Sequence, residues 1–139
     1  MKGIPLFLLT LTVFAAQAQT QTAKEDRVRR LITAFAEARN GNDGNAVAAF
    51  YSEDGEWIQN HATATVHGRV ALAQFWSQAQ RAQAHVDRAI LSIEFPGTNI
   101  AIVRVSTQYG PPVGLHSEVF VLVDESALIW KIRIHQTLD

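Results

Sequence analysis

The sequence predicts an α+β domain in which a curved antiparallel sheet packs on three N-terminal helices and encloses a pocket. In the first half of the chain, apolar residues recur with the period of about 3.6 residues that is typical of helices. From His85 onward the period is 2, as in strands, and three short turn signals divide this half into four long strands. Consecutive strands joined by short turns pair antiparallel, so the helices must cover one face of this sheet.

The first eighteen residues have the pattern of a cleaved secretory signal. A positive charge at Lys2 is followed by the apolar run Ile4–Ala16 and by the small-residue pattern Ala16–Ala18, which a signal peptidase reads. The alternative is a membrane anchor, but a helical span needs roughly 20 apolar residues, and this run is shorter. We therefore expect cleavage after Ala18 and export to the periplasm or the medium. Residues 19–139 would then form a single domain with no membrane association.

Composition argues against several classes of partner and site. The chain has 12 basic and 13 acidic side chains and a net charge of −1, with no basic stripe, so we expect neither nucleic acid nor anionic membranes as partners. It has no cysteine, which removes thiol nucleophiles and thiolate metal sites. Its 5 histidines show none of the spacings of zinc sites, and there is no glycine-rich phosphate loop. We predict no cofactor and no metal.

Three helices are predicted before the long strands. The first runs from Ala23 to about Arg39, a short second one ends near Tyr51, and the third runs from Gly68 to about Arg81. Apolar residues at i, i+3, i+4 and i+7 give the first and third helices one buried face each. These residues are Val28, Leu31, Ile32 and Phe35 in the first helix, and Leu72, Phe75, Trp76 and Ala79 in the third.

Six strands are predicted in all. Two short ones, Glu56–Gln59 and Thr63–Val66, lie between the second and third helices. Turn residues such as Pro, Gly, Asp and Ser bound the four long strands that follow. These are His85–Phe95, Asn99–Tyr109, Leu115–Val123 and Leu128–Thr137.

Three stretches, in the order in which they occur here, resemble a known superfamily. Phe50–Trp57 is similar to its entry into the first strand, Val66–Arg69 to the start of its third helix, and Trp130–Thr137 to its closing strand. The superfamily is the nuclear-transport-factor-2-like, or SnoaL-like, group, and the closest resemblance is to its SgcJ/EcaC-type branch. Gln136 departs from the Asn that this branch usually has. The resemblance spans the chain after the signal and implies a cone-shaped α+β fold with an internal pocket.

The resemblance implies a range of functions. Relatives of this fold include dehydratases, polyketide cyclases, ketosteroid isomerase, protein-transport factors and oligomerising modules without catalysis. Many form homodimers through the open face of the sheet. Because one fold hosts all of these, the fold does not choose among them.

Alternation of side chains along the strands predicts an inner face with an apolar floor and a polar rim. With a turn at Pro111–Gly114, Tyr109 would lie opposite His116, and Thr107 opposite Glu118. Apolar walls with a few convergent polar groups are typical of small-molecule pockets. The predicted rim consists of His85, Asp87, Thr107, Tyr109, His116, Glu118 and Gln136.

Asp87 and Glu118 are the candidate base and acid of this pocket. A carboxylate beside a histidine, partly shielded from water, can have a pKa near neutral. His85 or His116 would tune the two carboxylates, and Tyr109 would donate to an oxyanion. The alternative is that polar residues gather at solvated strand ends without a catalytic role, and a register error of one residue would move half of them to the other face.

Further candidate contacts to a ligand lie outside this carboxylate pair. Trp57 could stack on a flat ligand, and the alternative is that it belongs to the core, with His61 a loop residue. We expect Arg69 to be structural and to pair with a nearby carboxylate. The candidate ligand contacts are Trp57, His61, Trp76, Thr107 and Gln136.

Two functions remain open for this sequence. The first is an exported domain that binds a small apolar molecule and performs cofactor-free acid–base catalysis: isomerisation, dehydration or cyclisation. The second is a non-catalytic binding or homo-oligomerisation module. Alternation places His135 on the outer face with an apolar patch that includes Ile102, Val119 and Val121, which favours a homodimer through that face. An apolar cavity with Asp87 and Glu118 pointing into it would favour the enzyme.

Overall fold

A computed structural model describes residues 7–41, 43–59, 65–79, 85–110, 114–126 and 128–138. The helices in this part of the chain are α1 (Phe7–Asn40), α2 (Gly44–Ala48) and α3 (Arg69–Ala79). The strands are β1 (Tyr51–Gln59), β2 (Thr65–His67), β3 (Val86–Gly97), β4 (Ile100–Tyr109), β5 (Gly114–Asp124) and β6 (Trp130–Thr137). The predicted α+β class and the order of its elements are confirmed.

The six strands form one sheet in the order β2-β1-β6-β5-β4-β3. The strands β3 to β6 pair antiparallel in sequence order, as predicted, whereas β1 lies parallel to β6. The turn after β4 begins one residue earlier than predicted, because Tyr109 pairs with Gly114, and Thr107 with His116. Each residue of β4 therefore meets a partner two positions earlier than predicted. A shift of two residues leaves the face of every side chain unchanged.

α1 extends further towards the N-terminus than the predicted helix, which began at Ala23. Side chains 17–23 are exposed, and Val28 is the first buried one among the side chains of α1 that are described, which begin at residue 17. From there the predicted apolar face is buried at Val28, Ile32 and Phe35, whereas Leu31 is only partly buried. No helix in the described ranges is both long and apolar enough to span a membrane. Cleavage after Ala18 would leave the packed part of α1 in place.

β1 begins at Tyr51, where the sequence predicts the end of the second helix. The carboxylate of Asp43 accepts hydrogen bonds from the first amides of α2, but this helix ends at Ala48. Tyr51 pairs with Ile132 of β6, and the amide of Ile132 donates to the carbonyl of Phe50 at 2.9 Å. Because very short helices have little stability of their own, this strand pairing decides the conformation.

The core lies between α1, α3 and the inner face of the sheet, with Phe35 at its centre. The ring of Phe35 makes edge-to-face contacts with Tyr51, Trp76 and Phe120, at centroid distances of 5.9, 6.4 and 5.6 Å. Leu72 and Trp76 of α3 are buried as predicted. Each of these large aromatic rings buries a large apolar area on folding.

Candidate functional site

A β-bulge in β6 decides which side chains of this strand point inward. Leu122 pairs with Ile132, but Val121 pairs with Ile134, so Arg133 is one extra residue in β6. A bulge shifts the alternation of all later residues by one position. His135 is therefore completely buried, and Gln136 pairs with Val119 on the outer face. The predicted faces of His135 and Gln136 are wrong.

A second bulge has the same effect in β3. Ile90 pairs with Val105, and Ser92 pairs with Arg104, which leaves Leu91 as the extra residue. After the bulge, Ile93 and Phe95 pack against the core, as predicted. Before the bulge, the residues that point inward are Val86, Arg88 and Ile90.

His85 and Asp87 consequently lie on the outside of the sheet. His85 Nε2 is 3.0 Å from Asp87 Oδ1, and the two side chains are 68% and 78% exposed. The prediction that these two residues point into the interior is wrong. The position predicted for the Asp87 carboxylate is taken by the Arg88 guanidinium, whose side chain is only 2% exposed.

Glu118 of β5 is the buried carboxylate at the centre of the interior. Its Oε1 accepts a hydrogen bond of 2.9 Å from the Tyr109 hydroxyl, and its Oε2 accepts one of 3.0 Å from Arg88 Nε. His135 Nε2 lies 3.3 Å from the same Oε2, outside hydrogen-bond geometry. The predicted inward positions of Glu118 and Tyr109 are confirmed, with Arg88 and His135 as partners in place of Asp87 and His85.

Glu118 is ionised in this setting. Burial by itself would raise its pKa, because a carboxylate loses its hydration in the interior. The nearby imidazole of His135 and the charge and hydrogen bond of Arg88 oppose this effect, and together they hold the pKa of Glu118 well below its ordinary value. For Tyr109, burial and the neighbouring Glu118 raise the pKa to about 12, so its hydroxyl keeps its proton and donates.

His135 is held between two flat rings. It stacks on Phe120 at 4.1 Å and on Trp76 at 6.1 Å, with interplanar angles of 13° and 11°. Its Nδ1 is 2.9 Å from the hydroxyl of Tyr51. Burial lowers the pKa of His135 despite the opposing effect of Glu118, which favours the neutral ring. The tautomer that suits both neighbours has its proton on Nε2, facing Glu118, and accepts the Tyr51 proton at Nδ1.

A second buried guanidinium, that of Arg39, comes from the last turn of α1. Arg39 is 4% exposed, and its guanidinium carbon lies 4.4 Å from the centre of the Trp76 ring and 5.8 Å from that of Tyr109. Next to it, the side chain of Asn40 bonds to both the amide and the carbonyl of Val86, at 2.9 and 3.0 Å. At this edge of the sheet, the two hydrogen bonds from Asn40 take the place of those that a neighbouring strand would make to Val86. They also bring Arg39, the residue before Asn40, near Arg88.

The other predicted rim residues take different positions. The Thr107 side chain is buried, and its hydroxyl has no hydrogen-bond partner among the described residues. His116 is half-buried and meets the ring of Tyr109 edge-to-face at 5.2 Å. Both point inward, as predicted.

The predicted ligand contacts on the helical side are mostly core residues. Trp57 is 9% exposed, and its ring lies 4.5 Å from that of Phe75 and 5.9 Å from that of Trp76. Both tryptophans are therefore packed in the core. His61 lies outside the described residues. Arg69 is structural, but its Nη2 donates to the carbonyl of Tyr51 at 2.9 Å and not to a carboxylate.

Comparison with known proteins agrees with this architecture. A family model for the SnoaL-like domain matches residues 28–133, from Val28 on the buried face of α1 to the bulge in β6. The chain belongs to the SnoaL-like family. A search of curated proteins finds no significant match for it.

Solved structures share the fold of this SnoaL-like domain. A nuclear-transport-factor-2-like protein with a cystatin-like fold from Novosphingobium aromaticivorans is 19% identical, with 91% of this chain and 88% of that chain covered and a TM-score of 0.72. A ketosteroid isomerase-like protein from Erwinia carotovora atroseptica is 21% identical, covering 78% and 90% of the two chains, with a TM-score of 0.66. A scytalone-dehydratase-like protein from Novosphingobium aromaticivorans is 15% identical, covering 86% of each chain, with a TM-score of 0.69. At these identities the likeness shows the fold alone.

Sequence reasoning missed four residues of the buried cluster in this SnoaL-like domain: Arg39, Tyr51, Arg88 and His135. Arg39 was detectable, because it follows Phe35 by one helical turn on the apolar face of α1. Arg88 and His135 were not detectable, since each owes its inward position to a bulge with no distinct sequence signal.

Among the described residues, no three potential metal ligands lie close enough together to hold an ion.

Proposed function

We propose that this SnoaL-like domain binds a small, largely apolar molecule inside the sheet and transfers protons to or from it without a cofactor. The observation that carries this proposal is the continuous series Tyr109–Glu118–His135–Tyr51, which is packed among aromatic rings. Isomerisation, dehydration and cyclisation all need one group that takes up a proton and another that returns one. The names of the isomerase-like and dehydratase-like structural neighbours support this class of reaction.

His135 is the residue in this series that can best take up a proton. Its lowered pKa keeps the ring neutral near pH 7, and both neighbours can also accept a hydrogen bond from an imidazolium ring. Such a ring would donate from Nε2 to Glu118 and from Nδ1 to the oxygen of Tyr51, so the charge would be offset where it forms. Tyr109 is only partly buried, and its hydroxyl, which donates to Glu118 in the structure, would turn its one proton to an oxygen of the ligand.

The test combines a binding screen with a proton-transfer assay. A thermal-shift screen against steroids, polyketide-like ketones and small apolar acids should find ligands that, at about 100 times their dissociation constant, stabilise the fold by about 2.7 kcal/mol. For ketone hits, NMR in D₂O then measures deuterium uptake at the carbon next to the carbonyl. We expect His135→Gln to slow this uptake about 10²–10⁴-fold while binding persists.

The matched control for this test is Asp87→Asn, because the Asp87 side chain is 78% exposed and outside the cluster. It should leave both binding and exchange unchanged. Ligands that bind without exchange above the protein-free rate would indicate a binding module without catalysis. A folded protein with no ligand in the screen would contradict the small-molecule proposal itself.

An assembly role is the second candidate, and the outer face of the sheet favours it. Ile100 and Ile129 are 41% and 54% exposed, and Val119 and Val121 of β5 are partly exposed on the same face. We propose that two copies of the chain associate through this face. Such a homodimer is compatible with an interior ligand site, because the two faces of the sheet are independent.

We also propose that the chain belongs to the SgcJ/EcaC-type branch, because three stretches of its sequence resemble that branch.

We further propose that the protein is exported. The proposal rests on the small-residue pattern Ala16–Ala18 after an apolar run, and on the exposed side chains that follow in α1. Mass spectrometry of the protein recovered from periplasm and medium should give a chain that begins at Gln19. Recovery of only the full-length chain, in the cytoplasm, would contradict export.

A further inference from the structure

The side chain of Arg88 crosses the inner face of the sheet. It starts on β3, and its Nε donates to Glu118 of β5 at 3.0 Å, so it passes over β4, which lies between these two strands. Thr107 of β4 pairs with Arg88 and is buried on the inner face, so the two side chains leave the sheet next to each other. The guanidinium, the Thr107 hydroxyl and the Glu118 carboxylate therefore meet on one part of this face.

Arg88 and Thr107 both have hydrogen-bonding groups without a partner. Nη1 and Nη2 of Arg88 and the hydroxyl of Thr107 are buried, and none of them bonds to any of the described residues. The side chain of Arg88 is 2% exposed, and Thr107 is 0% exposed. Buried polar groups without partners are rare, because each forfeits the hydrogen bonds that water gave it. Two such groups side by side indicate a place where an oxygen of a ligand is bound.

The charge of Arg88 is already matched by that of Glu118. Glu118 is ionised, so the guanidinium and the carboxylate form a pair without net charge. A second carboxylate on the same guanidinium would lie close to Glu118, and like charges repel strongly in an apolar interior. The other buried guanidinium, Arg39, makes interactions of its own and lies over Trp76. The free amino groups of Arg88 therefore suit an uncharged acceptor better than an anion.

We propose that Arg88 and Thr107 hold the carbonyl oxygen of an uncharged ligand, and that Glu118 keeps Arg88 in place for this contact. This inference rests on the small-molecule function proposed above. A carbonyl oxygen has two lone pairs, so it accepts from one Nη of Arg88 and from the Thr107 hydroxyl at the same time. When a proton passes from the adjacent carbon to His135, the electrons of the C–H bond form the C=C bond of an enolate. The negative charge then appears on the oxygen that the guanidinium holds.

An open groove between α1 and β3 borders Arg88. It has a volume of about 470 Å³, which is large enough for a ligand of one or two rings. The two arginines in its lining, Arg29 and Arg88, are each paired with a glutamate. The lining also includes Glu37 and Asp87, and neither carboxylate has an arginine or lysine partner among the interactions described. An anion would meet repulsion on this path, whereas an uncharged ligand would not.

The test compares probes that share a skeleton and differ in one group. 1-Tetralone is compared with tetralin, which lacks the carbonyl oxygen, and with tetralin-1-carboxylate. Acetophenone is compared in the same way with ethylbenzene and benzoate. Ligand-observed NMR on the full chain, at constant ionic strength, measures the affinities. We expect each ketone to bind roughly ten- to hundred-fold more tightly than its hydrocarbon, because hydrogen bonds to charged groups are the strong ones, and more tightly than its acid.

Each outcome of this comparison is decisive. Hydrocarbons that bind as tightly as their ketones would overturn the carbonyl inference and leave the small-molecule function standing. Acids that bind more tightly than the ketones would show that the ligand is an anion. No binding by any probe would overturn the inference, and the wider thermal-shift screen then decides separately whether the small-molecule function stands.

Two variants test the role of Thr107. Thr107→Val removes the hydroxyl, and because that hydroxyl has no partner, the variant should be as stable as the unmodified chain. We expect it to reduce the preference for ketone over hydrocarbon roughly two- to tenfold, which is the effect of one ordinary hydrogen bond. Thr107→Ser keeps a hydroxyl and should retain the preference. A Thr107→Val variant with the full preference would show that Thr107 does not contact the oxygen.

Arg88→Lys tests the guanidinium without leaving Glu118 unpaired, because lysine keeps the positive charge. Lysine has one nitrogen in place of three, and Glu118 holds that nitrogen. We expect the ketone preference and the deuterium uptake next to the carbonyl of 1-tetralone to fall at least about tenfold, while the affinity for tetralin stays the same. The matched control Arg104→Lys, at a side chain that is 54% exposed, should keep both. A folded Arg88→Lys variant with full preference and uptake would show that Arg88 does not hold the oxygen.

Discussion

At the scale of single residues, Glu118 and Asp87 are two carboxylates with opposite settings. Glu118 is 1% exposed and bonded to Arg88 and Tyr109, whereas Asp87 is exposed and contacts only its neighbour on the outer surface, His85, among the interactions described. Removal of one partner from a buried ion pair is much more costly than loss of an exposed one, because the remaining charge stays buried without compensation. The two residues should therefore respond very differently to truncation.

We expect Glu118→Ala to lower the free energy of unfolding by about 3–5 kcal/mol. Asp87→Ala should change it by less than about 0.5 kcal/mol, because it removes a solvated side chain. Urea unfolding followed by circular dichroism measures both. Equal and small effects in the two variants would contradict the buried ion pair.

His135 should make stability depend on pH. Its pKa is lower in the folded chain than its ordinary value near 6.5, because burial against Tyr51 and Phe120 and the charges of Arg88 and Arg39 outweigh the opposing effect of Glu118. The unfolded chain then binds more protons, so the free energy of unfolding falls as pH drops below about 6.5, by up to about 1.4 kcal/mol per pH unit. The lowered pKa of Glu118 adds a further loss at more acidic pH, as pH falls below the ordinary value of 4.5.

Two variants check this pH dependence. His135→Gln should flatten the profile between pH 7.5 and about 5.5, because the group that titrates there is gone. His85→Gln removes an exposed histidine and should leave the profile as it is in the unmodified chain. The measurement is the urea midpoint at a series of pH values. A slope that survives in His135→Gln would assign it to another group.

At the scale of elements, the contact between α2 and α3 depends on a missing side chain. A Cβ atom on Gly44 would collide with the Oγ and backbone amide of Ser77 and lie 2.5 Å from the carbonyl oxygen of Ala73. At Gly97, by contrast, a Cβ would meet nothing within 4 Å. A comparison of alanine substitutions at these two glycines therefore separates the effect of close packing from the general effect of replacing a glycine.

We expect Gly44→Ala to lower the free energy of unfolding by about 1–3 kcal/mol, because the two helices must move apart. Gly97→Ala should be near neutral. Thermal unfolding of the two variants, compared with the unmodified chain, gives the difference. A Gly44→Ala variant as stable as Gly97→Ala would mean that α2 can shift without cost.

At the scale of the whole molecule, the open face of the sheet is the surface most suited to self-association. Light scattering after size-exclusion chromatography should give twice the mass of the chain. Val119→Lys places a charge in the centre of the outer face and should convert the dimer to a monomer. Val70→Lys, at a residue of α3 that is 77% exposed, is the matched control and should remain dimeric. A monomer at all concentrations of the unmodified chain would contradict the proposed dimer.

Much of the site could be predicted where the strands are regular. β4 and β5 pair without a bulge, and alternation alone placed Thr107, Tyr109 and Glu118 correctly on the inner face. The error in the predicted register of these two strands did not change the face of any side chain, because the shift was two residues. In β3 the same reasoning failed before the bulge and exchanged Arg88 with Asp87, and in β6 it failed after the bulge and exchanged His135 with Gln136.

The sequence by itself determined the α+β class, the order of helices and strands, the buried face of α1 and the inner faces of the regular strands. These follow from local periodicity, which each segment carries whatever its neighbours are. Only the tertiary structure decided the members of the polar cluster. A bulge arises from the pairing of two strands and from the curvature of the sheet over its core, and neither is a property of one segment. The Glu118–Arg88–His135 cluster therefore exists only in the assembled sheet.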